Sequence, residues 1–280
     1  MQFHRPETID AALGLLADGS VTMLAGGTDF FPARAGRTAD GPVLDLSRVS
    51  GLKGITKSGD AWRIGATTTW SHIRDADLPP QFTALQLAAR EVGSIQIQNA
   101  GTIAGNICNA SPAADGVPPL LAMDASVEVA GTSGSRTVPL GQFITGVRSI
   151  ALQPGEMVTA VIVPDRPSDR SCFLKLGARR YLVISMAMVA ANVSVTSDGA
   201  LESVSIAVGA CSPVAQRIDT MERALTGLVP GSIDFADALQ KADLSVLSPI
   251  DDVRATAAYR LDAVRTLIGR AVTRAAQEKE

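Results

Sequence analysis

The sequence predicts a chain of mixed helix and strand in two domains. Three features carry this: its length, its short strands parted by tight turns, and its long amphipathic ending. At 280 residues the chain is too long for one small core and suits two moderate domains. Apolar residues make up 46% of it, enough to exclude disorder as a global state.

The elements follow in order. Pro6-Glu7-Thr8 opens a helix with Ile9, Leu13 and Leu16 on one face, closed by Gly19. Residues 21–24 read as a short buried strand, and a helical turn follows around Phe30 with Pro32 in its first turn, where a missing N–H costs nothing. Residues 43–46 form another strand, and 52–57 and 61–66 flank Ser58-Gly59-Asp60 as a hairpin. Small residues dominate 98–116, which reads as a long loop, and strands are expected at 127–130, 137–140 and 158–163. Two prolines and three charges make 164–169 the best linker, so the domains are placed at 1–165 and 170–280. Beyond it, 173–176, 189–195 and 201–209 read as an antiparallel meander with a tight turn at Ser197-Asp198-Gly199. The remainder is expected to be helical, with Val253, Ala257, Leu261, Val264, Ile268, Ala271 and Ala275 near one face of 251–276.

Several function classes are excluded at this level. A net charge of −3 and 4% aromatic residues provide neither a basic stripe nor a base-stacking surface for nucleic acid. The start, Met1-Gln2-Phe3-His4-Arg5-Pro6-Glu7, lacks the pattern of a signal peptide. The longest apolar run, 183–195, is interrupted by Ser185 and Asn192 and is shorter than the roughly 20 residues of a membrane span. A cytoplasmic protein without a membrane span is expected. Cys108, Cys172 and Cys211 are far apart, no CxxC occurs, and only His4 and His72 could assist, so no metal ligands are assigned to this chain.

Two constellations carry chemistry. Ala25-Gly26-Gly27-Thr28-Asp29-Phe30-Phe31 follows a strand directly. Two glycines admit a ligand close to the backbone, successive N–H groups form an anion site, and Thr28 adds a hydroxyl. The alternative is an ordinary strand-to-helix turn with Thr28 or Asp29 as its cap. The second constellation runs Asn99-Ala100-Gly101-Thr102-Ile103-Ala104-Gly105-Asn106-Ile107-Cys108-Asn109-Ala110-Ser111-Pro112-Ala113-Ala114-Asp115. Low bulk and short polar side chains suit a dinucleotide pressed on the backbone. Asp115 suits sugar hydroxyls better than phosphates, since like charges repel. The alternative is an Asn/Gly-rich loop that satisfies its own backbone. No G-x-G-x-x-G follows a strand, 51–58 lacks the second glycine of a P-loop, and no G-x-S-x-G is present.

Together, residues 25–31 and 102–115 resemble the two FAD-binding motifs of the medium subunit of molybdenum hydroxylases, the family of carbon monoxide and xanthine dehydrogenases. The opening 3–16, the segment Phe173-Leu174-Lys175-Leu176-Gly177-Ala178-Arg179-Arg180, and Tyr259-Arg260 and Arg270-Ala271 near the end extend the likeness over nearly the whole chain. The resemblance implies an α+β fold: a two-subdomain FAD-binding domain of the vanillyl-alcohol-oxidase (PCMH) type, then a small domain of antiparallel sheet plus helices. It implies that Ala25, Gly26, Gly27, Thr28, Asp29 and Phe30 hold the pyrophosphate side of a non-covalent FAD. Gly101, Thr102, Ala104, Gly105 and Asn106 would approach from the second motif, Asp115 would bind the ribityl hydroxyls, and Ser111 is counted among the cofactor-binding residues. Lys175 matches a family lysine near the isoalloxazine, against the alternative of a solvated lysine at a strand end. Ala104 stands where many members have glycine, so the backbone there has a Cβ to accommodate.

The function so implied is electron transfer within an oxidoreductase complex. A large molybdopterin subunit oxidises substrate, a small subunit relays electrons through [2Fe–2S] clusters, and the FAD here passes them to an external acceptor. A dimer of heterotrimers is expected, with no catalytic side chain in this subunit. The competing reading is a stand-alone flavin-dependent oxidoreductase of the same flavin-domain superfamily.

Overall fold

The computed structural model describes residues 2–17, 19, 21–34, 37–38 and 41–277. Met1 of the opening motif lies outside them. Packing divides the chain into two compact units, one of residues 1–73, 94–110 and 125–165, the other of 74–93, 111–124 and 166–280.

The first unit holds two main sheets. Phe3–His4, Val43–Asp45 and Thr22–Leu24 form a parallel sheet with Val43–Asp45 in the middle. The helix Ile9–Ala17 buries Ala12, Leu13 and Leu16, as its periodicity requires. Thr22–Leu24 was expected to be buried, but only Leu24 is, because the strand lies at the sheet edge. The second sheet is antiparallel, in the order Ile55–Ser58, Ala61–Gly65, Met157–Pro164, Ser126–Gly131 and Gly134–Pro139. Its first hairpin turns through Gly59 at φ +58°, the left-handed conformation a two-residue turn asks of glycine. Ile64, Val127, Val129, Val161 and Val163 are fully buried and form the core of this sheet. A small ribbon, Ile144–Gly146 with Ser149–Ile150, was not anticipated.

The second unit is an antiparallel sheet in the order Arg170–Leu176, Ala187–Val195, Leu201–Gly209 and Gln216–Arg217. Ala187–Val195 is buried along eight of its nine residues, so both of its faces are covered. Ala187, Val189, Ala191 and Val193 share a core with Val264, Ile268, Ala271, Val272 and Ala275 of the helix Ala257–Gln277. On the alternate face Met188 lies beside Pro118, since both would meet a Cβ placed at Gly209. Side chains on a strand alternate between faces. The helices Thr83–Glu91 and Val117–Ala122 therefore join this unit by covering its second face, although they precede it in sequence.

Two expectations are corrected. The stretch 98–116 is not a long loop: it contains the end of the helix Ile95–Ala100 and the helix Ile103–Asn109, capped when the Thr102 Oγ1 accepts from the Gly105 N–H at 3.1 Å. Packing overrides the weak helix propensity of glycine and asparagine here. The last helix starts at Ala257, not near 251, and Val253 is 99% exposed. Asp252 stops it earlier by accepting the backbone N–H groups of Arg254 and Ala255. The linker expected at 164–169 falls where the two units divide, after Asp165, and its residues bond within their own units. Asp165 takes the Trp62 indole N–H at 2.7 Å within the first unit, and Asp169 takes the Asn192 amide at 2.6 Å within the second.

Candidate functional site

In the first unit the two Gly-rich motifs meet backbone to backbone. A Cβ on Gly26 would lie 1.9 Å from the Ala100 carbonyl oxygen and 2.9 Å from the Gly101 Cα. One on Gly101 would lie 2.9 Å from the Ile97 oxygen and 3.4 Å from the Thr28 Oγ1. Glycine is required at Gly26 by this approach alone. Gly27 has φ +74°, and from there the chain folds back, the Phe31 N–H reaching the Gly27 oxygen at 3.2 Å.

The hydrogen-bond inventory separates the two motifs. Among the described residues, the backbone N–H groups of Gly26, Gly27, Thr28, Asp29 and Phe30 donate to no protein acceptor. In the second motif most are spent: Gly101 on the Ile97 oxygen, Ile103 on Thr68, Ala104 on Ala66, Gly105 on the Thr102 hydroxyl and Asn106 on the Thr102 oxygen, while Thr102, Ser111 and Asp115 donate to no protein acceptor among the described residues. Five free donors in sequence at a glycine turn make an anion-binding surface. The second motif shapes the back of that surface. Of its side chains, the Thr102 hydroxyl keeps its proton to donate, and the Asn106 Oδ1 is a buried acceptor with no partner.

Two residues of the first motif, Asp29 and Phe30, are engaged with other residues. The Asp29 carboxylate accepts the Asn109 amide at 2.9 Å, which disposes of Asp29 as a simple helix cap. Phe30 lies under the Arg34 guanidinium, 3.6 Å from the ring centroid, and its carbonyl accepts from Arg34 at 2.9 Å. Ala104 is buried at 7% exposure, so its Cβ is core material and the departure from glycine is accommodated.

In the second unit the structure brings Asp115 and Lys175 together. The Lys175 ammonium lies 2.9 Å from the Asp115 Oδ1, and the two side chains are 8% and 11% exposed. Lys175 is therefore not a solvated strand-end residue. Among the described residues Lys175 is the one charged partner at the buried Oδ1, which keeps a second lone pair as acceptor for a hydroxyl donor. Burial pushes the Asp115 carboxyl up to about 6, against the opposing pull of Lys175; Glu91 adds to the rise and Ser185 opposes it. Ser111 starts the turn that presents Asp115, its oxygen accepting the Ala114 N–H at 3.0 Å and its hydroxyl the Ala113 N–H at 3.3 Å. Ser185 was missed as a site neighbour, while Asn109 stood in the second constellation without an assigned role. Nothing local in the sequence marks Ser185, which reaches Asp115 only through the sheet.

In the first unit the free N–H groups suit phosphates, and in the second the buried carboxylate suits sugar hydroxyls. The family described as the FAD binding domain in molybdopterin dehydrogenase matches residues 1–166. The CO dehydrogenase flavoprotein C-terminal domain matches residues 173–275. The chain is 29% identical over 279 residues to the xanthine dehydrogenase FAD-binding subunit of Escherichia coli O157:H7, covering 98% of this chain and 95% of that one. It is 31% identical over 280 residues to the nicotine 6-hydroxylase medium subunit of Paenarthrobacter nicotinovorans, covering 98% and 97%. The reconstituted CO dehydrogenase from Oligotropha carboxidovorans contains a chain that superposes with a TM-score of 0.89 at 26% identity, covering 100% of this chain and 98% of that one.

Fold and site thus define an FAD-binding subunit of an oxidoreductase. The chain belongs to the medium subunits of the molybdenum hydroxylase family, with the PCMH-type flavin domain followed by the small sheet-and-helix domain. No helix among the described residues is long and apolar enough to cross a membrane.

Proposed function

We propose that this chain is the electron-exit subunit of a cytoplasmic molybdenum hydroxylase, built as a dimer of heterotrimers with a large molybdopterin subunit and a small [2Fe–2S] subunit. Bound non-covalently, FAD supplies the redox chemistry, taking electrons from the clusters and giving them to an external acceptor. This chain's residues bind and tune it. Gly26 to Phe30 offer their N–H groups to the pyrophosphate, with the Thr28 and Thr102 hydroxyls beside them. Asp115 accepts from ribityl hydroxyls, and Lys175 supplies the positive charge that favours an anionic reduced flavin. No side chain here is assigned a proton-transfer role. Residues 1–165 and 170–280 are proposed as the two domains of the family, with 74–93 and 111–124 lent by the first to the packing of the second.

The run of five unpartnered N–H groups at Gly26–Phe30 carries the reading. Purification of the chain and titration with FAD, followed by visible absorbance, tests it. A flavin spectrum with one FAD per chain is expected, and failure to bind FAD would refute it. Co-purification with molybdenum-containing and iron–sulfur subunits separates it from a stand-alone flavoenzyme, which would oxidise a substrate unaided.

A further inference from the structure

Arg260, in the last helix, has no assigned part in the site. It is 2% exposed, and its guanidinium serves three partners. One Nη donates to the Met186 oxygen at 2.6 Å and the Ala210 oxygen at 3.3 Å, and the other to the Asp252 carboxylate at 2.7 Å. Both carbonyls lie on segments that lead to the Asp115–Lys175 pair. The Ala210 N–H donates to the Pro112 oxygen at 2.9 Å, inside the turn that delivers Asp115, and Ala210 itself sits at φ +63°. The Met186 N–H donates to the Leu176 oxygen at 2.8 Å, one residue beyond Lys175, and Met186 follows Ser185, which faces the same carboxylate.

We propose that Arg260 is a positioning residue for the flavin site: it clamps the Ala210 and Met186 carbonyls and so holds Asp115, Lys175 and Ser185 in register. One Nη reaches both carbonyls while the other holds the Asp252 carboxylate, and these bonds offset the burial of the charge although the buried Nε has no partner. Asp252 keeps the fork oriented and is itself held ionised, its carboxyl driven well below the usual range by the Arg254 N–H, with Arg260 contributing. The inference rests on the reading of Asp115 as an FAD ligand.

The test measures FAD affinity against pH, from pH 5 to 8, in the full chain. The groups that face Asp115 are Lys175, Glu91 and Ser185, so its titration is set within this cluster. Wild type is expected to bind FAD more tightly above a midpoint near 6, and Asp115→Asn to lose that midpoint. Arg260→Met is expected to weaken binding at least tenfold and to move the midpoint down by about one pH unit, as a loosened turn hydrates the carboxylate. Ile268→Val, a core change on the same helix, is expected to lower stability and leave the midpoint in place. Asp252→Asn, which keeps the guanidinium but frees it, is expected to shift the midpoint in the same direction by less, and serves if Arg260→Met does not fold. An unshifted midpoint with affinity within twofold in either the Arg260 or the Asp252 variant overturns the proposal. If wild type binds FAD but Asp115→Asn keeps the wild-type pH profile, the assignment of Asp115 fails first, and this inference with it.

Discussion

Replacing Gly26 by alanine tests the glycine crossing directly. The added methyl would stand 1.9 Å from the Ala100 oxygen, 2.6 Å from its carbonyl carbon and 2.9 Å from the Gly101 Cα. All three are backbone atoms, so no side chain can swing away. Restoring ordinary contact moves one motif from the other by about 1.5 Å. Overpacking of this kind costs about 1–3 kcal/mol of folding stability. The displacement also exceeds what a hydrogen bond tolerates, and the loss of even one charge-assisted bond to phosphate costs about 1.5–3 kcal/mol. The expected result is a ten- to hundredfold weaker FAD affinity together with a lower urea midpoint of the flavin-free chain. Gly14 is the control: it lies inside the helix Ile9–Ala17 with nothing within 4 Å of its Cβ position. Gly14→Ala should raise stability by about 0.5–1 kcal/mol and leave FAD binding unchanged. A Gly26→Ala chain that binds FAD within twofold of wild type would refute the argument, because the clash cannot then exist as described.

Asp115→Ala should weaken FAD binding about tenfold to a hundredfold by isothermal titration, the scale of a charge-assisted hydrogen bond; an unchanged Kd would remove the residue from the site. The folded pKa of Asp115 is raised to about 6 from 3.8, so the folded flavin-free chain binds the extra proton in that window. Its stability relative to Asp115→Asn should therefore fall as pH rises from 4 to 6, by an amount on the order of 1–3 kcal/mol, and urea titrations that show a rise would reverse the sign. Val253→Asp should alter stability by less than about 0.5 kcal/mol, whereas Ile268→Ala should cost about 2–5 kcal/mol, since the first side chain is 99% exposed and the second fully buried. Equal effects in thermal melts would put the register of the last helix in error. Burial pushes the Cys108 thiol up to about 12 and the Cys211 thiol up to about 11, so both should react slowly with a thiol reagent at pH 8 until urea is added.

What could be read in the sequence was whatever depends on neighbours in the chain. The period of Leu13 and Leu16, the hairpin at Gly59 and the turn at Gly199 all follow from local chemistry, and the structure has them, although Ile9 of the same expected face is only partly buried. What could not be read depends on packing across the chain. Val253 fits the helical stripe by spacing, yet Asp252 gathers backbone N–H groups and Arg260 and ends the helix short of it. The residues of 98–116 look like loop because glycine and asparagine are poor helix formers. Thr102 caps the turn, and the Ala66 and Thr68 carbonyls take the N–H groups that would otherwise float. Lys175 could equally be a surface residue in one dimension, and only the return of 111–115 to the sheet supplies its carboxylate.

The same cross-chain accounting changes what the two glycine motifs are for. Similar composition invites the view that both cradle phosphate through their backbone. A backbone N–H can serve only one strong acceptor, and those of Gly101, Ile103, Ala104, Gly105 and Asn106 are already serving the protein. The glycines of the second motif therefore act by volume. Gly101 has no room for a Cβ against Ile97, and its thin backbone in turn accepts Gly26. An unbroken run of donors is left at Gly26 through Phe30, and they are free because the neighbouring strand ends at Leu24 and the next turn begins only when Phe31 bonds back to Gly27. Substitutions in the first motif should thus act on what the anion touches, and those in the second on where the first motif stands. Alanine at Gly27, whose φ of +74° disfavours any side chain, should impair binding through conformation, while the natural Ala104, buried and in regular helix, already shows that the second motif admits a Cβ wherever the space behind it allows.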